Sequence, residues 1–138
     1  MCRRLEWYEL REISVYVLRD NERNCYVGQT MQPVNKRYKQ HLYCAKKYKN
    51  NPGKYSDADL ERTSKWIASK DDCSVEIVVV ETIFGDTYQA KRLEYLWRCI
   101  AVLNGYCVID VPDPFSGTYD EIKELAKTRK NEWHEKIV

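Results

Sequence analysis

Residues 14–30 read SVYVLRDNERNCYVGQT. Two short apolar runs flank a polar, turn-prone stretch, Asp20-Asn21-Glu22-Arg23-Asn24, and each run carries one tyrosine, Tyr16 and Tyr26. The runs, 13–18 and 24–30, are rich in β-branched and aromatic residues, so the stretch predicts a β-hairpin. Working outward, Pro33 suits the first turn of a helix and opens one that reaches about Tyr48. Asn50-Asn51-Pro52-Gly53 breaks it.

Further along, Ser56 or Asp57 is placed to cap a second helix running to Lys70. CSVEIVVVETI, 73–83, reads as a third strand whose unbroken apolar centre implies burial on both faces. A third helix spans about Thr87 to Asn104, with Gly105 as its stop signal. CVIDV, 107–111, reads as a short edge strand, and Pro112 and Pro114 mark an irregular crossing. A last helix runs from about Tyr119 to Lys136, with Ile122, Leu125, Trp133 and Ile137 on its inner side. The order β-β-α-α-β-α-(β)-α predicts one α+β domain over 1–138, a small and mostly antiparallel sheet with helices on its faces.

The 138 residues suit a single domain with one core, and 43% hydrophobic against 32% charged residues places the chain among globular proteins. The formal net charge is only +2, but residues 31–56 hold seven Lys or Arg and no acid. Such a block on a near-neutral chain points to an anionic partner on one face. The start, MCRRLEWYEL, has no apolar run, and no stretch approaches the roughly 20 apolar residues of a membrane span. An intracellular protein without a membrane partner is the expectation. The six cysteines, Cys2, Cys25, Cys44, Cys73, Cys99 and Cys107, are then expected as reduced thiols. With no CxxC pair and only two histidines, His41 and His134, a zinc site is not expected.

On a helical wheel, Val34, Tyr38, Leu42 and Ala45 form one apolar stripe of the first helix, with Arg37 and His41 paired four residues apart on its flank. In the third helix Leu93, Leu96, Trp97 and Ile100 form the stripe, and Glu94 stands at its border. Taken singly these residues read as ordinary strand aromatics, a solvated arginine and a border acid. Together they suit phosphodiester cleavage. A hard divalent cation needs a carboxylate oxygen, a phosphate under attack needs a guanidinium or ammonium, and an attacking water needs a proton acceptor or orienting hydroxyl. One evident carboxylate fits one metal ion better than two.

Ser14-Val15-Tyr16 followed by Tyr26-Val27-Gly28 resembles the paired signature of the GIY-YIG nuclease family. The likeness continues in order through Arg37, His41, Glu94 and Asn104, and covers about residues 13–110. It implies a small sandwich around a three-stranded antiparallel sheet, and a Mg²⁺- or Mn²⁺-dependent endonuclease acting on DNA. By the same resemblance Tyr16 or Tyr26 orients or deprotonates the water, and Arg37 holds the scissile phosphate. His41 assists proton transfer or touches the phosphate, Glu94 ligates the metal, and Asn104 ties the site together by hydrogen bonds. Two departures stand out. Valines replace both isoleucines, which keeps strand residues. Ser14 replaces the first glycine and adds a side chain that either crowds the site or donates a hydrogen bond.

Given that resemblance, Lys36, Lys39, Lys46, Lys47, Lys49 and Lys54 read as a nucleic-acid-binding face, with Tyr43, Tyr48 and Tyr55 interleaved to stack on unpaired bases. The competing readings are a non-catalytic nucleic-acid-binding domain that keeps the nuclease fold, and a protein-interaction domain with a structural tyrosine cluster. The helices at 57–70 and 119–136 are the segments left for target recognition or for a homodimer.

Overall fold

The hairpin at 14–30 forms as expected, with two further strands added at its edges and the helices packed on its two faces. The computed structural model describes residues 9–50, 58–111 and 113–137. Strand β1 (Arg11–Arg19) pairs antiparallel with β2 (Asn24–Thr30), which sets Tyr16 opposite Gly28 and Leu18 opposite Tyr26. The turn is held by one buried carboxylate. Asp20 Oδ1 accepts from the backbone N–H of Glu22 (2.8 Å) and Asn24 (2.9 Å), while Oδ2 accepts from Trp66 Nε1 at 3.0 Å. Lys70 Nζ completes the set at 2.8 Å. These partners outweigh the cost of burial and hold the Asp20 carboxyl well below the usual carboxylate range.

Helix α1 (Val34–Asn50) starts right after Pro33, whose carbonyl accepts from Lys36 and Arg37 N–H. Helix α2 (Ala58–Ala68) follows, then strand β3 (Glu76–Gly85), antiparallel to β1 with an irregularity opposite Val15/Tyr16. Helix α3 (Thr87–Leu103) begins at a capping box, in which Asp86 and Gln89 satisfy each other's backbone N–H. Gly105 ends it with φ +84°, the left-handed conformation the sequence signalled. The expected break at Asn51-Pro52-Gly53, the caps Ser56 and Asp57, and Lys54, Tyr55, Cys2 and Pro112 lie outside the described residues.

Three expectations need correction, the first being burial of the third strand on both faces: β3 is an edge strand with Val79 39% exposed. The sheet is four-stranded and mixed, in the order β3-β1-β2-β4, because β4 (Cys107–Val108) joins parallel to β2. The turn at Gly105 brings Cys107 N–H to Arg23 O (2.8 Å) and Ile109 N–H to Cys25 O (3.0 Å). The last helix is two, α4 (Asp120–Arg129) and α5 (Glu132–Ile137). The Lys130 carbonyl, which an unbroken helix would offer to His134, accepts instead from Trp133 N–H and from Asn104 Nδ2 at 3.1 Å. Ile122, Trp133 and Ile137 are buried as expected, whereas Leu125 faces outward and Ala126 takes the inner place.

The sheet alternation divides the core. Val15, Val17, Cys25 and Val27 face α3, α4 and α5, packing with Trp97, Ile100 and Trp133. Tyr16 and Leu18 face α1 and α2, packing with Ala45 and Ile67. Cys25, Cys44, Cys73, Cys99 and Cys107 are free thiols. Among the described residues no helix is long and apolar enough to cross a membrane.

Candidate active site

Gly28 is the residue on which the site is built. It lies opposite Tyr16 on β1 and two residues after Tyr26 on its own strand, so all three share one face. A Cβ at position 28 would sit 2.7 Å from Tyr16 Oη and 2.7 Å from Tyr26 Cε1. Only a residue without a side chain lets both rings lie across the strand, with centroids 6.2 Å apart.

Helix α1 closes over the phenols. The His41 ring packs edge-on against both, 5.8 Å from Tyr16 and 5.3 Å from Tyr26. His41 Nε2 is 2.7 Å from Tyr16 Oη, and Arg37, one turn earlier, donates from Nε to the same oxygen at 3.3 Å. Arg37 Nη1 also donates to Gln40 Oε1 (3.1 Å). The depth of the members differs. Tyr16 is 0% and His41 5% exposed, while Arg37 and Tyr26 are half-buried. His41 therefore lies inside the helix seam rather than on its flank, because Tyr16 gives its ring nitrogen a buried partner. Burial, and then the Arg37 charge, pull the imidazole from 6.5 down to about 4, so it is neutral at pH 7. Burial raises the Tyr16 and Tyr26 hydroxyls, and in Tyr16 it prevails over the opposing Arg37 charge.

Glu94 comes from the opposite layer, on α3. Its carboxylate is ion-paired with Arg98, four residues on, and bonded by the Gln29 side chain of β2. Its side chain is only 15% exposed, and that burial raises its proton affinity against the pull of Arg98. Its charge acts on both phenols. Between the layers lies a cleft of about 380 Å³, bordered by Gln29, Thr30, Gln32, Arg37, Gln40 and Thr87. Arg37 and the Glu94-bonded Gln29 thus share one opening.

The structure gathers Tyr16, Tyr26, Arg37, His41 and Glu94 but not Asn104. Ten residues further along α3, about 15 Å at helical rise, Asn104 caps the helix. Its amide donates to Ile100 O (2.8 Å) and Lys130 O (3.1 Å), so what it ties together is the α3 end and the α4–α5 junction. Ser14 does not crowd the site either, since its hydroxyl bonds Thr82 Oγ1 across the strands at 3.1 Å. Lys36, Lys39, Lys46, Lys47 and Lys49 are all exposed on α1, with Lys47 over the Tyr43 ring at 5.4 Å. Sequence reasoning missed three members. Arg98 was detectable as the (i, i+4) partner of Glu94, whereas Gln29 and Asp110, whose carboxylate lies 3.8 Å from Arg98, carry no sequence signal. Among the described residues no three His, Cys, Asp or Glu side chains converge as a ready metal cage.

Fold and site together define an α+β domain with a buried imidazole–phenol pair bonded to an arginine at a cleft, and one carboxylate on α3 bonded to Gln29 of the same cleft. No protein-family model matches the chain, and no curated protein or solved structure matches it.

Proposed function

We propose that this protein is a GIY-YIG-type endonuclease that hydrolyses DNA phosphodiesters with one Mg²⁺ or Mn²⁺ ion. The observation that carries the reading is the chain Arg37 Nε–Tyr16 Oη–His41 Nε2, at 3.3 and 2.7 Å, whose Arg37 borders one cleft with Gln29, the residue bonded to Glu94. The residues suit the cation. Mg²⁺ is commonly held by one or two carboxylates and keeps its remaining positions for water and substrate phosphate, and Glu94 is one carboxylate bonded to Gln29, which borders the cleft. Bound at Glu94, the ion would supply Lewis-acid neutralisation of phosphate charge.

The chain's own groups divide the remaining work. Arg37, at the surface of the cluster, turns its guanidinium to the scissile phosphate and binds two of its oxygens. That movement uncovers the Tyr16 hydroxyl, which takes a proton from the attacking water as it passes its own to neutral His41. Tyr26, half-exposed beside it, orients the water. The water oxygen attacks phosphorus in line, one P–O ester bond breaks, the leaving oxygen takes up a proton from solvent, and His41 releases the proton it received back to solvent. The lysines of α1 draw the duplex in.

The deciding experiment is cleavage of plasmid, branched and single-stranded DNA in Mg²⁺, with and without EDTA, by the native protein and Glu94→Ala. The expected result is EDTA-sensitive cleavage that Glu94→Ala abolishes while DNA binding persists. Glu94→Gln fails as well, since a neutral amide is a poorer ligand for a hard dication. Full turnover in Glu94→Ala would remove the metal from the mechanism. DNA binding with no cleavage of any of the three substrates would leave a non-catalytic nucleic-acid-binding domain in place of the enzyme.

A further inference from the structure

Arg98 has no part in the scheme above, yet it is the group closest to its key carboxylate. One of its Nη2 contacts is Glu94 Oε1, and Asp110 Oδ2 lies 3.8 Å from the same nitrogen. The three side chains are only 12% (Arg98), 15% (Glu94) and 9% (Asp110) exposed. The guanidinium also lies over the Tyr95 ring at 5.4 Å, and its Nε is buried without a hydrogen-bond partner. A cation clamped between two carboxylates occupies the electrostatic place of a divalent ion.

We infer that Arg98 is an internal counter-ion of Glu94 that a divalent cation must displace. The inference rests on Glu94 being the metal ligand proposed above. Without metal, Arg98 keeps the buried carboxylate ionised and aimed. When a dication approaches, two positive groups compete for one carboxylate, and repulsion between them is poorly screened at this depth. The guanidinium has other partners within reach, because Asp110 Oδ2 and the Tyr95 ring already lie beside it. The cost is affinity: the apparent dissociation constant is the intrinsic one divided by the fraction of time Glu94 is free of Arg98.

The sign of one measurement separates this role from an ordinary supporting one. A residue that merely orients a ligand weakens metal binding by about 10–100-fold when removed. A competitor strengthens it. Free Mn²⁺, followed by electron paramagnetic resonance without DNA, reads binding directly. Arg98→Gln is expected to bind Mn²⁺ about tenfold tighter than the native protein, the factor withheld by a charge-assisted hydrogen bond of ordinary strength. Arg98→Lys, which keeps the charge, stays near native affinity. Equal or weaker binding by Arg98→Gln overturns the inference, provided Glu94→Ala loses the ion. If Glu94→Ala binds Mn²⁺ as the native protein does, the metal reading itself fails and takes this one with it. Should Arg98→Gln not fold, the native protein suffices: the Arg98 Nε–H resonance is expected to shift on Mg²⁺ titration with the midpoint of metal binding. A resonance that stays fixed to saturation overturns the displacement.

Discussion

A phenol with no exposed surface acts on a phosphate only through a neighbour, and for Tyr16 that neighbour is Arg37. Arg37→Lys is therefore a sharp test, because a guanidinium offers a planar pair of donors and an ammonium a point charge. DNA affinity should stay near normal while the single-turnover rate at saturating enzyme falls by about 10²–10³, the usual effect of losing a transition-state donor. An unchanged rate would make Arg37 one more member of the basic face. His41 offers a test without substrate. Its folded-state value of about 4 lies below the ordinary 6.5, so between those values the unfolded chain binds more protons and stability falls as pH drops, by at most about 3 kcal/mol. Glu94, raised by burial, acts with the opposite sign, gaining stability as pH drops. The contribution of His41 is thus read as a difference between proteins. Urea melts at pH 4 and 7 should show a smaller pH 7 advantage in His41→Gln, which still accepts from Tyr16. An identical pH dependence in the two proteins would mean that His41 is not buried neutral. For cleavage the controlling group is Glu94, which must be ionised to hold a cation. The acidic limb of kcat/KM should have its midpoint above 4.5, the ordinary glutamate value.

At the scale of elements, the hairpin is what brings the two phenols together, and Gly28 is its most exacting position. Gly28→Ala places a methyl 2.7 Å from Tyr16 Oη, and the neighbours are rings wedged under α1 rather than free side-chain ends. Overpacking of this kind costs about 1–3 kcal/mol. Chemical denaturation should register that loss, together with loss of cleavage as the rings part. Native stability in Gly28→Ala would show that the rings move aside freely. The hairpin, the three long helices and the third strand were legible because periodicity, Pro33 and Gly105 are local signals. The short edge strand β4 was legible too, but its parallel pairing with β2 was not, since that depends on where Arg23 and Cys25 offer carbonyls after folding. Nor was the α4–α5 break, which follows from the Asn104 amide reaching Lys130 across 26 positions of chain. The site divides in the same way. Glu94 at the edge of an apolar stripe was readable, but the wheel left His41 on the flank because nothing local to α1 reveals the Tyr16 hydroxyl awaiting it.

For the molecule as a whole, a net charge of +2 conceals an arrangement in which basic groups stand outward on α1. Lys36, Lys39, Lys46, Lys47 and Lys49 are exposed there, while several of the described acids are tied up in pairs such as Arg129–Glu81 and Arg92–Glu121 on the opposite layer. Counterion release then governs affinity for a duplex: log K falls linearly with log salt, with a slope of about −0.9 for each phosphate neutralised. Lys46 and Lys47 adjoin one another in the third turn beyond Arg37, away from the Tyr16–His41 contact, so under the proposed function they would act on the approach of DNA and not on the reacting phosphate. Replacing both by Ala should make the slope shallower by up to about 1.8, if each lysine meets one phosphate. The single-turnover rate at saturating enzyme should not change, because the chain from Arg37 to His41 is untouched. Binding titrations between 50 and 200 mM salt, paired with rapid-quench cleavage, test both halves at once. Affinity that is flat across that range would deny α1 the role of a DNA surface, and an unaltered slope in the double variant would move the contact to other lysines.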